Sequence, residues 1–397
     1  MSINFKSWFL SLLVLTSMGS FAVEESQSLE FTKNLLLNNS YDCEEGSCTF
    51  YRIGKFESRN PMSENPLYIR YTKYGQSKGK KGSIVLSPGR TESSLKYAEF
   101  AYDFIQKGYS PIFIIDHRGQ GLSPRALENT NKGFVAEFSH FVDDFEDFVN
   151  QVVLTDKKTN REKLYLVGHS MGVAISNIYN QRVGKSNPFK AAGLFGGMIK
   201  INLDGNAPYF EWAARLVTYK VCNGLEGFMN LECLGYVQKQ WLDYDANSRS
   251  IDPRDPNPYN MTRSVQRFMF RDFLWNEFAP MNANAPINNE YESYENWNGL
   301  ALGGPTTQWM WQAIKANMNM RKKKEVKKIA IPYLMMTGSQ DVRAVLKAHK
   351  KFCAKVNKHA VSCRYIQPVG GFHELLLEDD RYRNDAMTRL ENFFDQY

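Results

Sequence analysis

The stretch Lys163-Leu-Tyr-Leu-Val-Gly-His-Ser-Met-Gly172 decides the fold of this chain. Its first part, Leu164 to Val167, is a short apolar run that is typical of a buried strand. Gly168 to Gly172 has the form G-x-S-x-G, and Val173 to Arg182 carries apolar residues at helical spacing. Strand, tight turn and helix are the context in which such a turn exposes its serine as a nucleophile. An ordinary glycine turn is the alternative interpretation, because so short a pattern also arises by chance.

A turn of this kind would hold Ser170 in strained backbone angles at the carboxyl edge of a sheet. The two glycines keep neighbouring side chains away from the serine hydroxyl. The helix that follows supplies free N–H groups and the positive end of its dipole, which stabilise a negative charge developing on a reacting oxygen. The sequence therefore predicts that Ser170 is the nucleophile of an acyl-transfer site.

Apolar strands and amphipathic helices alternate on both sides of this turn. Two earlier segments, 49–57 and 67–74, alternate in the strand manner and are predicted to form an antiparallel edge. This β-α-β-α order indicates an α/β fold with a mainly parallel sheet flanked by helices, and with its site at the carboxyl ends of the strands. Further strands are predicted at 83–87, 111–116, 191–198, 332–338 and 362–369, and helices at 95–107, 134–156, 306–320, 342–356 and 379–394.

The same patterns divide the chain into five segments. The first predicts a signal peptide, with Lys6 before an apolar run and small residues near the cut. The fourth segment, residues 199–304, is rich in aromatic residues and contains a predicted helix around Phe268, so we interpret it as a largely helical cap over the site. The segments are a signal peptide at 1–22, an irregular amino-terminal arm at 23–48, the core at 49–198 and 305–397, and the cap insertion at 199–304.

Composition and charge limit the class of protein. The chain has 397 residues, 43% of them hydrophobic, and a formal charge of +7. We interpret the basic excess as modest and scattered, without the arginine–aromatic pattern of a nucleic-acid-binding protein. A weak, transient attraction to anionic membrane surfaces is the favoured interpretation, and simple solubility is the alternative. The basic run 321–328 is interpreted as a solvated helix end.

Six cysteines favour an exported protein, in the periplasm or secreted. They fall into three local couples, and proximity favours pairing within each couple because small loops close most readily. No couple has the C-x-x-C spacing of a zinc site, and we expect neither a metal nor a cofactor. The couples are Cys43 with Cys48, Cys222 with Cys233, and Cys353 with Cys363.

A nucleophilic serine needs a histidine as base and an acid that orients the histidine. In sites built on a strand–turn–helix of this kind, the three residues occur along the chain in the order serine, acid, histidine. Of six histidines, His373 is the one on a glycine-freed loop after the last strand. We expect His169 to point away from Ser170, and His349 and His359 to lie on the surface. Asp341 follows the strand 332–338 and would hold the imidazole in the tautomer that accepts a proton. A helix N-cap is its alternative role, and Asp204 is the alternative acid.

An oxyanion hole needs two backbone N–H groups. We expect them from Met171 and from Arg90, in the loop after the strand 83–87. The Arg90 side chain has two interpretations. It reaches the phosphate of a substrate, or it pairs with Glu92 and shapes the loop.

From about residue 49 to the end, several motifs in collinear order resemble the bacterial lysophospholipase and monoacylglycerol lipase family of α/β-hydrolases. Pro88 stands where many monoacylglycerol lipases have His, and Arg90 where they have a small residue, which favours the lysophospholipase side. The motifs are Ser87-Pro-Gly-Arg-Thr-Glu-Ser93, Asp116-His-Arg-Gly-Gln-Gly-Leu-Ser123, Val142-Asp-Asp144, Gly168-His-Ser-Met-Gly172, Gly303-Gly-Pro-Thr306 and His373-Glu-Leu-Leu-Leu377.

The resemblance implies the α/β-hydrolase fold and a serine ester hydrolase whose helical cap admits one acyl chain. Ser170, Asp341 and His373 match the family triad, and Arg90 and Met171 its oxyanion positions. The expected function is release of a fatty acid from a lysophospholipid or monoacylglycerol. A peptidase, thioesterase or acyltransferase with the same triad remains open, as does a non-catalytic lipid-binding relative.

Overall fold

The computed structural model of the chain describes residues 25, 27–43, 46–62, 65–127, 132–201, 261–284, 300 and 302–397. The predicted signal peptide, the couple Cys222 and Cys233, the alternative acid Asp204 and most of the predicted cap lie outside these residues. The division into a core and an inserted cap therefore stays a prediction.

The amino-terminal arm is ordered, and the expectation of an irregular arm is wrong. Residues 27–38 form helix α1, and strands β1 (Ser40–Cys43) and β2 (Gly46–Thr49) pair as an antiparallel hairpin. The predicted Cys43–Cys48 disulfide closes this hairpin. The helix forms because its leucines pack into the protein core, a tertiary contact that a short polar sequence does not reveal. These buried residues are Leu29, Leu35 and Leu36.

Eight strands form one sheet in the order β10-β9-β8-β7-β5-β6-β4-β3. Strands β5 to β10 are mutually parallel, while β4 runs antiparallel to both β3 and β6, so the predicted antiparallel edge is confirmed. The strands are β3 (Tyr51–Ser58), β4 (Leu67–Tyr74), β5 (Gly82–Ser87), β6 (Tyr109–Asp116), β7 (Leu164–His169), β8 (Ala191–Phe195), β9 (Tyr333–Met336) and β10 (Cys363–Ile366).

Helices cover both faces of the sheet. Helix α3 (Phe138–Phe148) begins four residues later than the sequence suggests and continues through a π-helical turn, Val149–Val153. Helix α5 (Val265–Asn284) confirms the helix predicted around Phe268. The further helices are α2 (Ala98–Gln106), α3 (Phe138–Phe148), α4 (Met171–Val183), α5 (Val265–Asn284), α6 (Thr307–Met320), α7 (Lys323–Val326), α8 (Leu346–His359) and α9 (Asp380–Phe394).

The sheet separates two apolar cores. Along β5, Val85 points into one core, and Ile84 and Leu86 point into the other, as the alternation of a strand requires. The Cys353–Cys363 disulfide ties α8 to β10. Among the described residues, no helix combines the length and the apolar character that crossing a bilayer requires.

Candidate active site

Ser170 lies between the end of β7 and the start of α4, in a strained conformation. Its φ is 50° and its ψ is −114°, a region that residues other than glycine rarely adopt. Backbone hydrogen bonds hold it there, because its N–H donates to Phe195 O at 3.0 Å and its carbonyl accepts from the Met198 N–H at 2.8 Å. The side chain is partly exposed at the carboxyl edge of the sheet.

Gly172 allows the oxyanion loop to approach this turn. A Cβ at Gly172 would clash with the carbonyl oxygen of Ser87, so no other residue fits without moving the backbone. The N–H of Met171 belongs to the first residue of α4 and has no acceptor within the helix. The loop after β5 and the start of α4 therefore adjoin each other, as an oxyanion hole would need.

His373 and Asp341 lie together below the same edge. Nδ1 of His373 is 2.8 Å from Oδ2 of Asp341, and both residues are buried. Oδ1 of Asp341 accepts the N–H groups of Arg343 at 2.8 Å and Ala344 at 2.9 Å. Helix α8 begins only at Leu346, so the helix predicted from residue 342 begins too early and Asp341 is not its N-cap.

The charge on Asp341 is favoured by these partners. Burial by itself would raise the pKa of the carboxyl, but His373 and the two backbone N–H groups outweigh it and hold the pKa below its ordinary value. An ionised Asp341 accepts a proton-bearing Nδ1, which leaves Nε2 of His373 as the nitrogen able to take up another proton.

Two other histidines are buried and have structural partners. The expectation of a surface position for His349 is wrong, because it is 1% exposed and its Nε2 lies 2.6 Å from Gly197 O. It occupies the inner face of α8, and burial lowers its pKa. His117 follows β6 with its Nε2 2.9 Å from Ser87 Oγ, and burial lowers its pKa to about 3.

The Arg90 side chain turns toward the loop that precedes α6. Its Nη2 donates to the carbonyl of Gly303, and its guanidinium carbon lies 5.4 Å from the centre of the Trp309 ring. Glu92 has other partners, so an Arg90–Glu92 pair does not organise the loop. This placement favours a shape-holding role for Arg90 over contact with a substrate phosphate.

Glu92 is a buried acid beneath the oxyanion loop whose importance the sequence did not reveal. Its carboxylate accepts the Gly89 N–H, the Tyr97 hydroxyl at 2.7 Å and the Lys96 ammonium at 2.7 Å. His169 Nδ1 lies 3.1 Å from the same carboxylate. The spacing of Glu92 and Lys96, four residues apart before a helix, is the available sequence signal.

The same cluster reaches the backbone of the candidate base. His169 Nε2 is 3.4 Å from the carbonyl oxygen of His373, and Lys96 Nζ also donates to Glu374 at 2.9 Å. His169 thus points away from Ser170, as the sequence suggested, and toward this network. Its pKa is raised, because the Glu92 carboxylate outweighs the effect of burial. A protonated His169 donates to Glu92 and to His373 O together, and so joins the two loops.

A cavity of about 250 Å³ opens above Ser170 and His373. One wall comes from helix α5, through Phe268, Arg271 and Leu274. The acids that line the cavity, Glu92 and Glu374, are engaged by Lys96. The cavity is therefore lined by apolar side chains and arginines, and its two acids are paired; further lining residues include Arg90, Leu300, Leu302 and Arg343.

Most of the chain matches a known protein family. A family model described as serine aminopeptidase, S33, matches residues 78–380, more than half of the chain. The chain belongs to this α/β-hydrolase family. The predicted fold class is confirmed, and together with the lysophospholipase relatives described next the predicted enzyme class, carboxylic-ester hydrolase, is confirmed as well.

Two curated relatives share much of this hydrolase's length. Lysophospholipase L2 of Escherichia coli K12 is 27% identical over 319 residues, which cover 79% of this chain and 80% of the relative. Probable lysophospholipase L2 of Haemophilus influenzae is 26% identical over 317 residues, covering 78% and 82%. A soluble variant of monoglyceride lipase from Saccharomyces cerevisiae has a similar fold, with a TM-score of 0.60 and 17% identity over 88% of this chain and 96% of that one.

Metal chemistry has no candidate site among the residues that the structure describes. No group of three or more His, Cys, Asp or Glu side chains there is arranged to hold a metal ion. The side chains around Ser170 suit proton transfer and acyl transfer, which need no cofactor.

Proposed function

We propose that the protein is an exported serine ester hydrolase that releases a fatty acid from a single-chain lipid, a lysophospholipid or a monoacylglycerol. The observation that carries this proposal is that His373, 2.8 Å from Asp341, lines one cavity with the strained Ser170. The names of the curated relatives and of the yeast enzyme support a lipid ester as the substrate.

The first half of the proposed reaction forms an acyl-enzyme. Ser170 Oγ attacks the ester carbonyl while Nε2 of His373 takes the hydroxyl proton. The ionised Asp341 stabilises the imidazolium that results. The N–H groups of Arg90 and Met171 hold the oxyanion until the carbon–oxygen bond to the alcohol breaks and His373 protonates the leaving alcohol.

The second half releases the acid. Water enters the cavity, His373 removes one of its protons, and the oxygen attacks the acyl carbonyl on Ser170. When this second tetrahedral species collapses, His373 returns the proton to Ser170 Oγ. The products are a free fatty acid and an unmodified enzyme, and the protons balance without a cofactor.

The residues that line the cavity favour a substrate with an acyl chain over a peptide. Phe268, Leu274, Leu300 and Leu302 offer apolar contact to an acyl chain. A peptide amino terminus would need an unengaged carboxylate, and both lining acids bind Lys96 instead. Arg271 and Arg343 also line the cavity, and arginine side chains suit the phosphate of a lysophospholipid headgroup.

A substrate panel tests this assignment. We expect the mature protein to hydrolyse lysophosphatidylglycerol and a monoglyceride of the same chain length, while an aminoacyl-anilide and an acyl-thioester turn over at least about tenfold more slowly. Free fatty acid, anilide and thiol release are measured side by side, with Ser170→Ala protein as the blank. Faster release from the anilide than from either lipid would make the protein a peptidase and sink the proposal.

The Glu92 network offers a separate prediction. Glu92→Gln removes the charge that holds Lys96 and His169, so both the oxyanion loop and His373 lose a buried support. We expect kcat for a short-chain ester to fall by about ten- to a hundredfold with a smaller change in KM, because the reacting groups are displaced rather than removed.

Its control is Glu137→Gln, at an exposed acid just before α3 that takes no part in the network. That variant should keep wild-type kcat. Wild-type kcat in folded Glu92→Gln protein would show that the network has no positioning role.

Export is supported by two disulfides, Cys43–Cys48 and Cys353–Cys363. Disulfides persist in oxidising compartments such as the periplasm or the extracellular medium. The predicted signal peptide at residues 1–22 and the third couple, Cys222 with Cys233, agree with the same compartment.

A further inference from the structure

The basic residues of this chain are concentrated, so the interpretation of a scattered excess is wrong. Residues 315–359 contain 13 Lys and Arg against 2 Asp and Glu, a net charge of +11. Because the whole chain carries +7, the other residues together sum to −4. One short part of the sequence therefore supplies all of the positive excess.

Part of this charge lies on one face, which we name the basic face: the groove beside α8 and the exposed lysines of α7, α8 and their flanks. Helices α7 and α8 pack against each other and present a groove beside α8. Val345, Ala348 and Phe352 contribute its apolar lining. Among the described residues, no acidic side chain lines the groove; its cations are Lys200, Arg321, Lys347, Lys351 and Lys355.

Much of this charge is not neutralised within the protein. Several exposed lysines of α7 and α8 and their flanks have no acid within ion-pair distance in the part of the chain that the structure describes. They are Lys323, Lys327, Lys347, Lys350, Lys351 and Lys358. Some lysines on the remainder of the surface are neutralised, since Lys73, Lys81 and Lys107 pair with Asp156 or Glu391. Uncompensated charges of one sign add to a positive potential that attracts anions.

The pKa of His359, at the end of α8, is affected by this positive potential. Its pKa is lowered by partial desolvation and then by the positive charges of four lysines. The lysines belong to both helices and the segments beside them, so their fields overlap at one point. They are Lys323, Lys358, Lys327 and Lys355.

The basic face is joined to the candidate active site. Arg343 lines the cavity above Ser170, and Val345, two residues later, lines the basic groove. Between them, Ala344 pairs with Ile201 and donates its N–H to Asp341. A surface bound at the groove would thus lie along the loop that also borders the cavity.

We propose that the basic face docks the protein onto a bilayer that contains anionic phospholipids. Clustered lysines attract the phosphates of such a surface, and each cation near it adds to the binding. The aromatic ring of the groove, Phe352, is 2% exposed and offers no face for base stacking, which argues against single-stranded nucleic acid. The choice of lipid rests on the proposed function, because a single-chain lipid is presented to an enzyme at a membrane.

Vesicle sedimentation tests the docking. Full-length mature protein is mixed with vesicles of phosphatidylcholine alone, or with about one third phosphatidylglycerol, at low and high salt. We expect binding to the anionic vesicles that weakens at high salt, where screening is strong, and little binding to neutral ones. The variant Lys323→Glu/Lys347→Glu/Lys351→Glu should bind anionic vesicles at least about tenfold more weakly.

A matched control makes the same change of charge elsewhere. Lys78→Glu/Lys157→Glu/Lys158→Glu alters three exposed lysines outside the basic face and should bind about as the wild type does. Equal losses in both variants would mean that net charge alone acts, and would overturn the proposal. Binding to a DNA duplex with no binding to anionic vesicles would overturn it too, in favour of another partner.

The docking proposal and the proposed function can be tested independently of each other. Turnover of a water-soluble short-chain ester should be unchanged in the basic-face variant, because its lysines lie outside the cavity. Turnover of lysophospholipid embedded in anionic vesicles should fall with binding. If the wild type binds anionic vesicles but hydrolyses no ester, the proposed function is wrong and the docking proposal stands. If it hydrolyses esters but does not bind anionic vesicles, the docking proposal is wrong and the proposed function stands.

Discussion

Ser170→Ala should lower kcat for a short-chain ester by about 100,000-fold, close to 7 kcal/mol of transition-state stabilisation. The hydroxyl is the atom that would bond to the acyl carbon, and alanine offers no substitute. The fold should survive, because the turn is held by backbone bonds to Phe195 and Met198 rather than by the serine side chain. Initial rates and thermal unfolding of the same preparation measure both points.

Ser176→Ala is the matched control for that variant. Ser176 lies on α4, six residues after the candidate nucleophile, and its buried hydroxyl has no hydrogen-bond partner among the described residues. Its removal should leave turnover within about twofold, because no bond is lost. If Ser170→Ala keeps the activity of this control, Ser170 is not the nucleophile.

His373→Ala should cost nearly as much as loss of the serine, about 100,000-fold, because no other group then takes the Ser170 proton. Asp341→Asn should cost less, about 10,000-fold, since the imidazole remains but its preferred tautomer is lost. His140→Gln, on the half-buried surface of α3, serves as the control and should be silent. Steady-state kinetics with one soluble ester compares all three.

The double variant His373→Ala/Asp341→Asn sharpens this test. If the two residues act as one unit, the double loss should match that of His373→Ala alone rather than the product of the single losses. Fully multiplicative losses would mean that Asp341 acts independently of the histidine, in conflict with the 2.8 Å contact between them.

The sequence was enough to predict the sheet because its strands are short apolar runs between clear breakers. The strand–turn–helix around Ser170 also follows from local sequence, since the pattern of Gly168 and Gly172 around the serine can be recognised without knowledge of any tertiary contact. The chain order serine, acid, histidine was enough to predict that Asp341 and His373 form a pair. Each of these features depends on residues that are close in sequence or on the chain order of a known site type.

What the sequence could not reveal depends on distant contacts. Helix α1 is stabilised by burial of Leu35 and Leu36 in a core made by other segments. The buried position of His349 depends on the carbonyl of Gly197, which is 152 residues away. The cluster around Glu92 likewise joins three separate loops, so the four-residue spacing of Glu92 and Lys96 indicates only one of its contacts. The basic face is visible as a charge count, but only the packing of α7 on α8 makes it one surface.

Covalent labelling tests the central claim most directly. The protein is incubated with a fluorophosphonate, which forms a stable bond to an activated serine, and is then digested and mapped by mass spectrometry. We predict one adduct, on the peptide that contains Ser170, absent from Ser170→Ala protein and formed far more slowly in His373→Ala protein. Protein that hydrolyses esters yet carries no adduct, or carries it on a different serine, would contradict the account.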